Sequence, residues 1–128
     1  MRAPRKIYAI DHGLLQSIRF MFNEDYGRIM ENIVYIALRR RVENVYYYKG
    51  ERACDFLLTK KGRVTHVIQV ARTLKDTLTK KRELAGLIEA ATHFKLKEGI
   101  IVTEDEQEQF VHEGFKIQIM PLWYWLLL

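Results

Sequence analysis

Cys54-Asp55-Phe56-Leu57-Leu58 and Val67-Ile68-Gln69-Val70-Ala71 are apolar, strand-forming runs on either side of a turn signal, Lys60-Lys61-Gly62. They read as a hairpin of two strands, Ala53–Thr59 and Val64–Ala71. With the turn at that place, the numbers of paired residues total about 123 or 124, so Asp55 falls beside Gln69. Side chains alternate faces along a strand, which lets these two share one. Each strand thus carries a single polar residue where a fully buried strand would exclude it. A carboxylate and an amide oxygen side by side on a central hairpin are half of the oxygen set that a hard divalent cation needs.

Working outward, Gly27 to Arg41 reads as a helix with Ile29, Ile33, Ile36 and Ala37 on its apolar face, widened by Met30 and Leu38. Arg39-Arg40-Arg41 places cations where the helix dipole favours them. Val45 to Tyr48 is a short aromatic strand. Leu74 to Thr79 is a polar connection, and Lys80 to Phe94 a second helix with Leu84, Leu87, Ile88 and Ala91 on one side. Gly99 to Thr103 is a strand, Asp105 to His112 a short acidic helix or turn, and Phe115 to Met120 the last strand. Pro121 opens an apolar closing helix over 121–128. Before all of these, Lys6 to Ile10 reads as a strand and Leu14 to Phe22 as a short helix or turn. The order predicts an α/β layer arrangement around a mixed sheet, in one domain spanning 1–128.

The bulk numbers narrow the classes. Of the 128 residues, 48% are apolar, enough for a real core. A net charge of +5 permits a nucleic-acid partner without requiring one. Cys54 is the single cysteine, which rules out an intrachain disulfide and a cysteine-rich zinc site. The basic start, Met1 to Lys6, is not followed by a signal-peptide apolar region, and no run is long enough to span a bilayer. The expectation is a cytoplasmic protein with no membrane association. No histidine pair stands at zinc-ligating helical spacing, and Cys54 has no histidine near it in sequence to activate it.

Glu31 lies beside the apolar face of the first helix, between Met30 and Ile33-Val34, where a glutamate needs a partner. With Asp55 and Gln69 it forms a polar set where a helix crosses a sheet. The order helix-Glu, strand-Asp, turn, strand-Gln, helix resembles the PD-(D/E)XK nuclease superfamily. More narrowly, the chain is similar to a C-terminal domain of unknown function found after the ATPase module of certain archaeal and bacterial AAA-type ATPases. The stretches that carry this are Lys6 to Leu14, Gly27 to Val34, Tyr47 to Gly50 with Cys54 to Phe56, Ile68-Gln69-Val70, Arg82-Glu83-Leu84 and Pro121-Leu122-Trp123. No Gly-x4-Gly-Lys-Ser/Thr loop occurs, so the ATPase module itself is not expected in this sequence.

The resemblance implies a restriction-endonuclease-like mixed sheet flanked by helices. It implies Glu31, Asp55 and Gln69 as the catalytic set, with Asp55 and Gln69 holding Mg2+ or Mn2+ for a DNA endonuclease. The lysine of the pattern falls at residue 71, which here is Ala71. That substitution, and an amide at 69 in place of a carboxylate, count against phosphodiesterase activity. Arg72, Lys75, Lys80, Lys81 and Arg82 are the expected nucleic-acid contacts, Lys80 and Lys81 being placed near a helix N-terminus. The alternative is a non-catalytic interaction or regulatory domain. Its apolar end, Trp123 to Leu128, would meet an ATPase module or a second copy of the chain.

Overall fold

The computed structural model describes residues 26–42 and 44–128. The strand expected at Lys6–Ile10 and the short helix expected at Leu14–Phe22 lie outside the described residues. Helix α1 is Tyr26–Arg41, β1 is Val45–Lys49, β2 is Ala53–Lys60 and β3 is Arg63–Val70. Then come α2 (Thr77–His93), β4 (Glu98–Thr103), β5 (Glu108–His112), β6 (Phe115–Pro121) and α3 (Leu122–Leu127). The strands form one six-stranded mixed sheet in the order β1-β2-β3-β4-β6-β5. The pairs β3–β4 and β4–β6 are parallel, and the others antiparallel. Among the described residues, no helix is long and apolar enough to cross a membrane.

Alternation along the strands divides the core between two faces. Phe56, Leu58, Ile68, Val70 and Val102 pack with Met30, Val34 and Leu38 of α1 and Trp125 and Leu126 of α3. Leu57, Val67, Ile101, Ile117 and Ile119 pack with Leu84, Leu87, Ala90 and Ala91 of α2. The buried stripe of α1 is Tyr26, Met30, Val34, Ala37 and Leu38. It is rotated one position from the isoleucine stripe read in the sequence, and Ile36 is 52% exposed. Both stripes have helical spacing, and the sheet selects the one that fits Phe56 and Ile68. Arg41 ties the end of α1 to α3, donating to the Leu126 carbonyl at 2.7 Å and lying over the Trp125 ring.

Two other boundaries differ from the sequence reading. Helix α2 begins a turn earlier, because Asp76 is its N-cap and accepts from the Thr79 N–H at 3.0 Å. Lys80 and Lys81 therefore sit in the second turn, away from the helix N-terminus. The segment expected to be a short acidic helix or turn ends instead in the edge strand β5. Its signal is the following Glu113-Gly114, with φ of 51° and 85°, the left-handed pair of a tight hairpin turn. Lys61-Gly62, with φ of 53° and 78°, does the same between β2 and β3.

The parallel pairs gather the carboxyl ends of β3, β4 and β6 on one side, where open α/β sheets place their ligands. Helix α2 crosses close to that side. A Cβ on Gly86 would enter contact distance of the Ala53 carbonyl and lie 2.8 Å from Gln69 Nε2. The helix can lie there only because residue 86 has no side chain. Gly86→Ala is therefore expected to destabilise the fold by about 2–3 kcal/mol, despite alanine's better helix propensity. Urea denaturation should show a lower midpoint with an unchanged slope.

Candidate functional site

The β2–β3 ladder runs from Lys60 opposite Arg63 to Phe56 opposite Ile68, with one irregularity between Leu58 and Thr59. Past Phe56, side chains take over from the backbone. Gln69 Oε1 accepts from the Asp55 N–H at 2.8 Å, and Asp55 Oδ2 accepts from the Val70 N–H at 2.8 Å. The cause is visible on the other side of β2. Tyr46 pairs with Leu57 but Tyr48 with Cys54, so Asp55 and Phe56 together oppose Tyr47. This bulge breaks the alternation of β2. Cys54 and Leu57 both pack on the α2 face, and Phe56 packs on the other. Bulges of this kind re-aim a side chain at a sheet end, and here the side chain is Asp55.

Gln69 is 3% exposed, and every polar atom of its amide is engaged. Nε2 donates to the Ala53 carbonyl at 2.9 Å and to the Glu83 carbonyl of α2 at 3.3 Å. As it stands, its oxygen is committed to a backbone N–H. The residue acts as a bracket among β2, β3 and α2, and a cation would have to displace that bond. Gln69 and Asp55 still line one cavity of about 320 Å³, together with Glu51, Arg52, Arg82 and Glu83.

Three carboxylates from three elements feel one another. Asp55 is raised from its ordinary range by burial, partly offset by the Val70 N–H bond. Glu83 on α2 is raised by burial and by Asp55, with Arg82 opposing. Glu31 on α1 keeps an exposed side chain, yet partial burial and Asp55 raise it against the pull of Arg28. Among the described residues, no three His, Cys, Asp or Glu side chains stand arranged to hold an ion between them. Asp55, Glu83 and Glu51 are the carboxylates that line the common cavity. A magnesium-type site uses one or two such groups, with water and ligand oxygens completing the shell.

The expected cations separate. Arg72 pairs with Glu104 at 3.3 Å and lies over the Tyr26 ring. Lys80 reaches Glu108 at 3.4 Å and lies over Phe110. Lys75 is exposed in the β3–α2 connection. Arg82 faces the Asp55 cavity, and Arg52, which the sequence reading did not select, faces it too. Ala71, where the pattern has lysine, packs against the α2-side core and donates its N–H to the Val102 carbonyl. Glu83 is not among the expected site residues. Its signal was a carboxylate one turn ahead of Leu87 on the buried stripe, the same kind of position that marked Glu31. Cys54 is buried, donates towards the Ile68 carbonyl at 3.5 Å, and has its thiol pushed up to about 12. It is a packing residue.

The family described as Domain of unknown function (DUF4143) matches residues 26–125, which include every group of this site. The chain belongs to the DUF4143 family. It is 34% identical over 133 residues to the uncharacterized protein MJ1544 of Methanocaldococcus jannaschii. That alignment covers 95% of this chain and 29% of the relative, so the chain spans less than a third of the relative's length. No solved structure matches.

Two outcomes follow for this DUF4143 site. Gln69→Glu removes two N–H donors from buried carbonyls and adds a charge beside Asp55 and Glu83. It should destabilise by about 2–4 kcal/mol at neutral pH, read by thermal melting. The second outcome concerns pH. Carboxyls raised on folding bind more protons folded than unfolded, so their contribution is greatest in acid and is lost as pH rises through their folded values. Asp76, lowered by its capping bonds, works in the opposite sense. Asp55→Asn keeps the acceptor for Val70 and removes the charge. It should raise the melting temperature at pH 7 and leave it nearly unchanged at pH 4.

Proposed function

We propose that this DUF4143 domain has a restriction-endonuclease-like core and engages DNA at the Asp55 cavity with Mg2+ or Mn2+, as part of an ATPase-associated system. The observation that carries this is the convergence of Asp55 and Glu83 on one cavity at the carboxyl end of β3, with Glu31 within electrostatic reach. Like charges brought together in a half-buried place are costly unless a cation joins them.

Asp55 and Glu83 would hold the cation, whose chemistry is to polarise a phosphodiester and lower the pKa of an attacking water. Glu31, open to solvent and raised by partial burial and by Asp55, would accept the proton of that water. Gln69 positions Asp55 by holding its backbone N–H. The ATPase association rests on the sequence resemblance and on the greater length of MJ1544.

A second reading, a non-catalytic interaction domain, is favoured by two particulars. The Gln69 amide is fully used in structural bonds, and Ala71 supplies no charge to a reacting phosphate. In that reading Trp123, Tyr124, Leu127 and Leu128, all exposed, are the apolar end that meets an ATPase module or a second copy.

Incubation of linear, circular and branched DNA with Mn2+ separates the two. Phosphodiesterase activity predicts slow cleavage that falls by at least about tenfold in Asp55→Asn. The same cation should raise the melting temperature of the wild type and not of the variant. Absence of both effects in a folded protein would sink the cation-site reading and leave the interaction domain.

A further inference from the structure

The Asp55 cavity does not stand alone. Arg52 and Arg82 line it and also line a second cavity of about 780 Å³ along α2. Its wall on the helix is a single face. Leu78, Lys81, Ala85 and Ile88 follow one another at helical spacings of three and four, with Arg82 beside Lys81. From Leu78 to Glu89 that face runs about 17 Å. Arg52 lies at the far end, its backbone N–H bonded to Glu89 at 3.3 Å. Strand β5 flanks the helix, Glu108 at its start meeting Lys80 and His112 at its end lining the cavity.

The charges of this channel are unevenly committed. Glu89 is occupied by the Tyr48 hydroxyl at 3.0 Å and by the Arg52 backbone, and Glu113 stands 3.3 Å from His112. Arg82 leans on Glu83 at 3.5 Å. Among the described residues, the side chains of Arg52 and Lys81 form no ion pair. Between these cations the floor is aliphatic, and Leu78 is 76% exposed. Cations along an apolar trough suit a ligand with a charged backbone and flat apolar faces. An unpaired nucleic-acid strand has both, whereas a duplex keeps its base faces stacked inside.

We infer that the α2 channel is the track by which a single nucleic-acid strand reaches the Asp55 cavity. Arg52 and Lys81 contact its phosphates, and Arg52 and Arg82 stand where the two cavities meet. This rests on the reading that a phosphodiester is engaged at Asp55, and it supplies the positive charge that Ala71 does not.

The test is fluorescence anisotropy with labelled oligo-dT, oligo-U and a DNA duplex, in EDTA so that no cleavage intervenes. Wild type, Arg52→Ala, Lys81→Ala and Arg63→Ala are compared across salt concentrations. Arg63 lies at the opposite end of β3 and serves as the control. Binding of either single strand should weaken about fivefold in Arg52→Ala and in Lys81→Ala, and the salt slope should drop by about one in each. Arg63→Ala should bind as wild type does, and the duplex more weakly than either strand. Unchanged binding in both channel variants would overturn the track, as would tighter binding of duplex or no binding of either strand. The phosphodiesterase reading fails separately: strand binding that obeys these expectations, with no cleavage in Mn2+, removes the chemistry and leaves the track.

Discussion

The side chain of Gln69 is the contact on which the site end of the molecule depends. One amide satisfies the Asp55 N–H, the Ala53 carbonyl and the Glu83 carbonyl, three backbone groups that belong to β2 and α2. Without it, the Asp55 N–H would lose its partner where water has little access, which native structures avoid. The bracket also explains neighbouring features. The helix must come within reach of the amide, hence Gly86. The bulge at Asp55 and Phe56 turns β2 out of the backbone ladder, and the amide takes over there. Asp55, freed from the ladder, can then turn its carboxylate to the end of β3.

The same arrangement stores unfavourable electrostatics. Glu83 and Glu31 are raised by burial first and by Asp55 second, and Asp55 is raised by its own burial. Of the three, Asp55 also makes a structural bond, accepting the Val70 N–H at 2.8 Å. Elsewhere the chain treats acidic groups differently. Glu106 accepts from the Leu74 N–H and the Thr73 hydroxyl, and so latches the loop before α2 to the loop after β4. Glu89 closes the β1–β2 turn through Tyr48 and Arg52. Carboxylates that hold structure are met by several donors; at the Asp55 cavity there are fewer, the Val70 N–H for Asp55 and the Arg82 guanidinium for Glu83.

Sequence pattern alone reached the central hairpin, its register and the pairing of Asp55 with Gln69, because a clear turn signal fixes the phase of everything on either side. It also reached the mixed α/β arrangement. Position within an element was harder. Two stripes of α1 have equal helical spacing, and only the shape of the sheet chooses Met30 and Val34 over Ile29 and Ile36. The edge strand β5 is exposed on both sides, so it shows no alternation, and its acidic approach imitates a helix start. Glu83 and Arg52 come to Asp55 from sequence distances that no local pattern spans.

The two positions at which the sequence differs from the PD-(D/E)XK pattern it resembles make sense together. An amide at 69 in place of a carboxylate removes one negative charge, and alanine at 71 in place of lysine removes one positive charge. The net charge around Asp55 is the same after both changes as before either. Each alone would be unfavourable. A carboxylate at 69 could not donate to the carbonyls of Ala53 and Glu83, and a lysine at 71 would put an ammonium group against the α2-side core. Gln69 with Ala71 gives a neutral bracket in place of a charged pair and leaves Asp55, Glu83 and Glu51 as the negative groups lining the cavity. The positive charge then has to come from outside the strand, and Arg52 and Arg82 are the cations that line the same space.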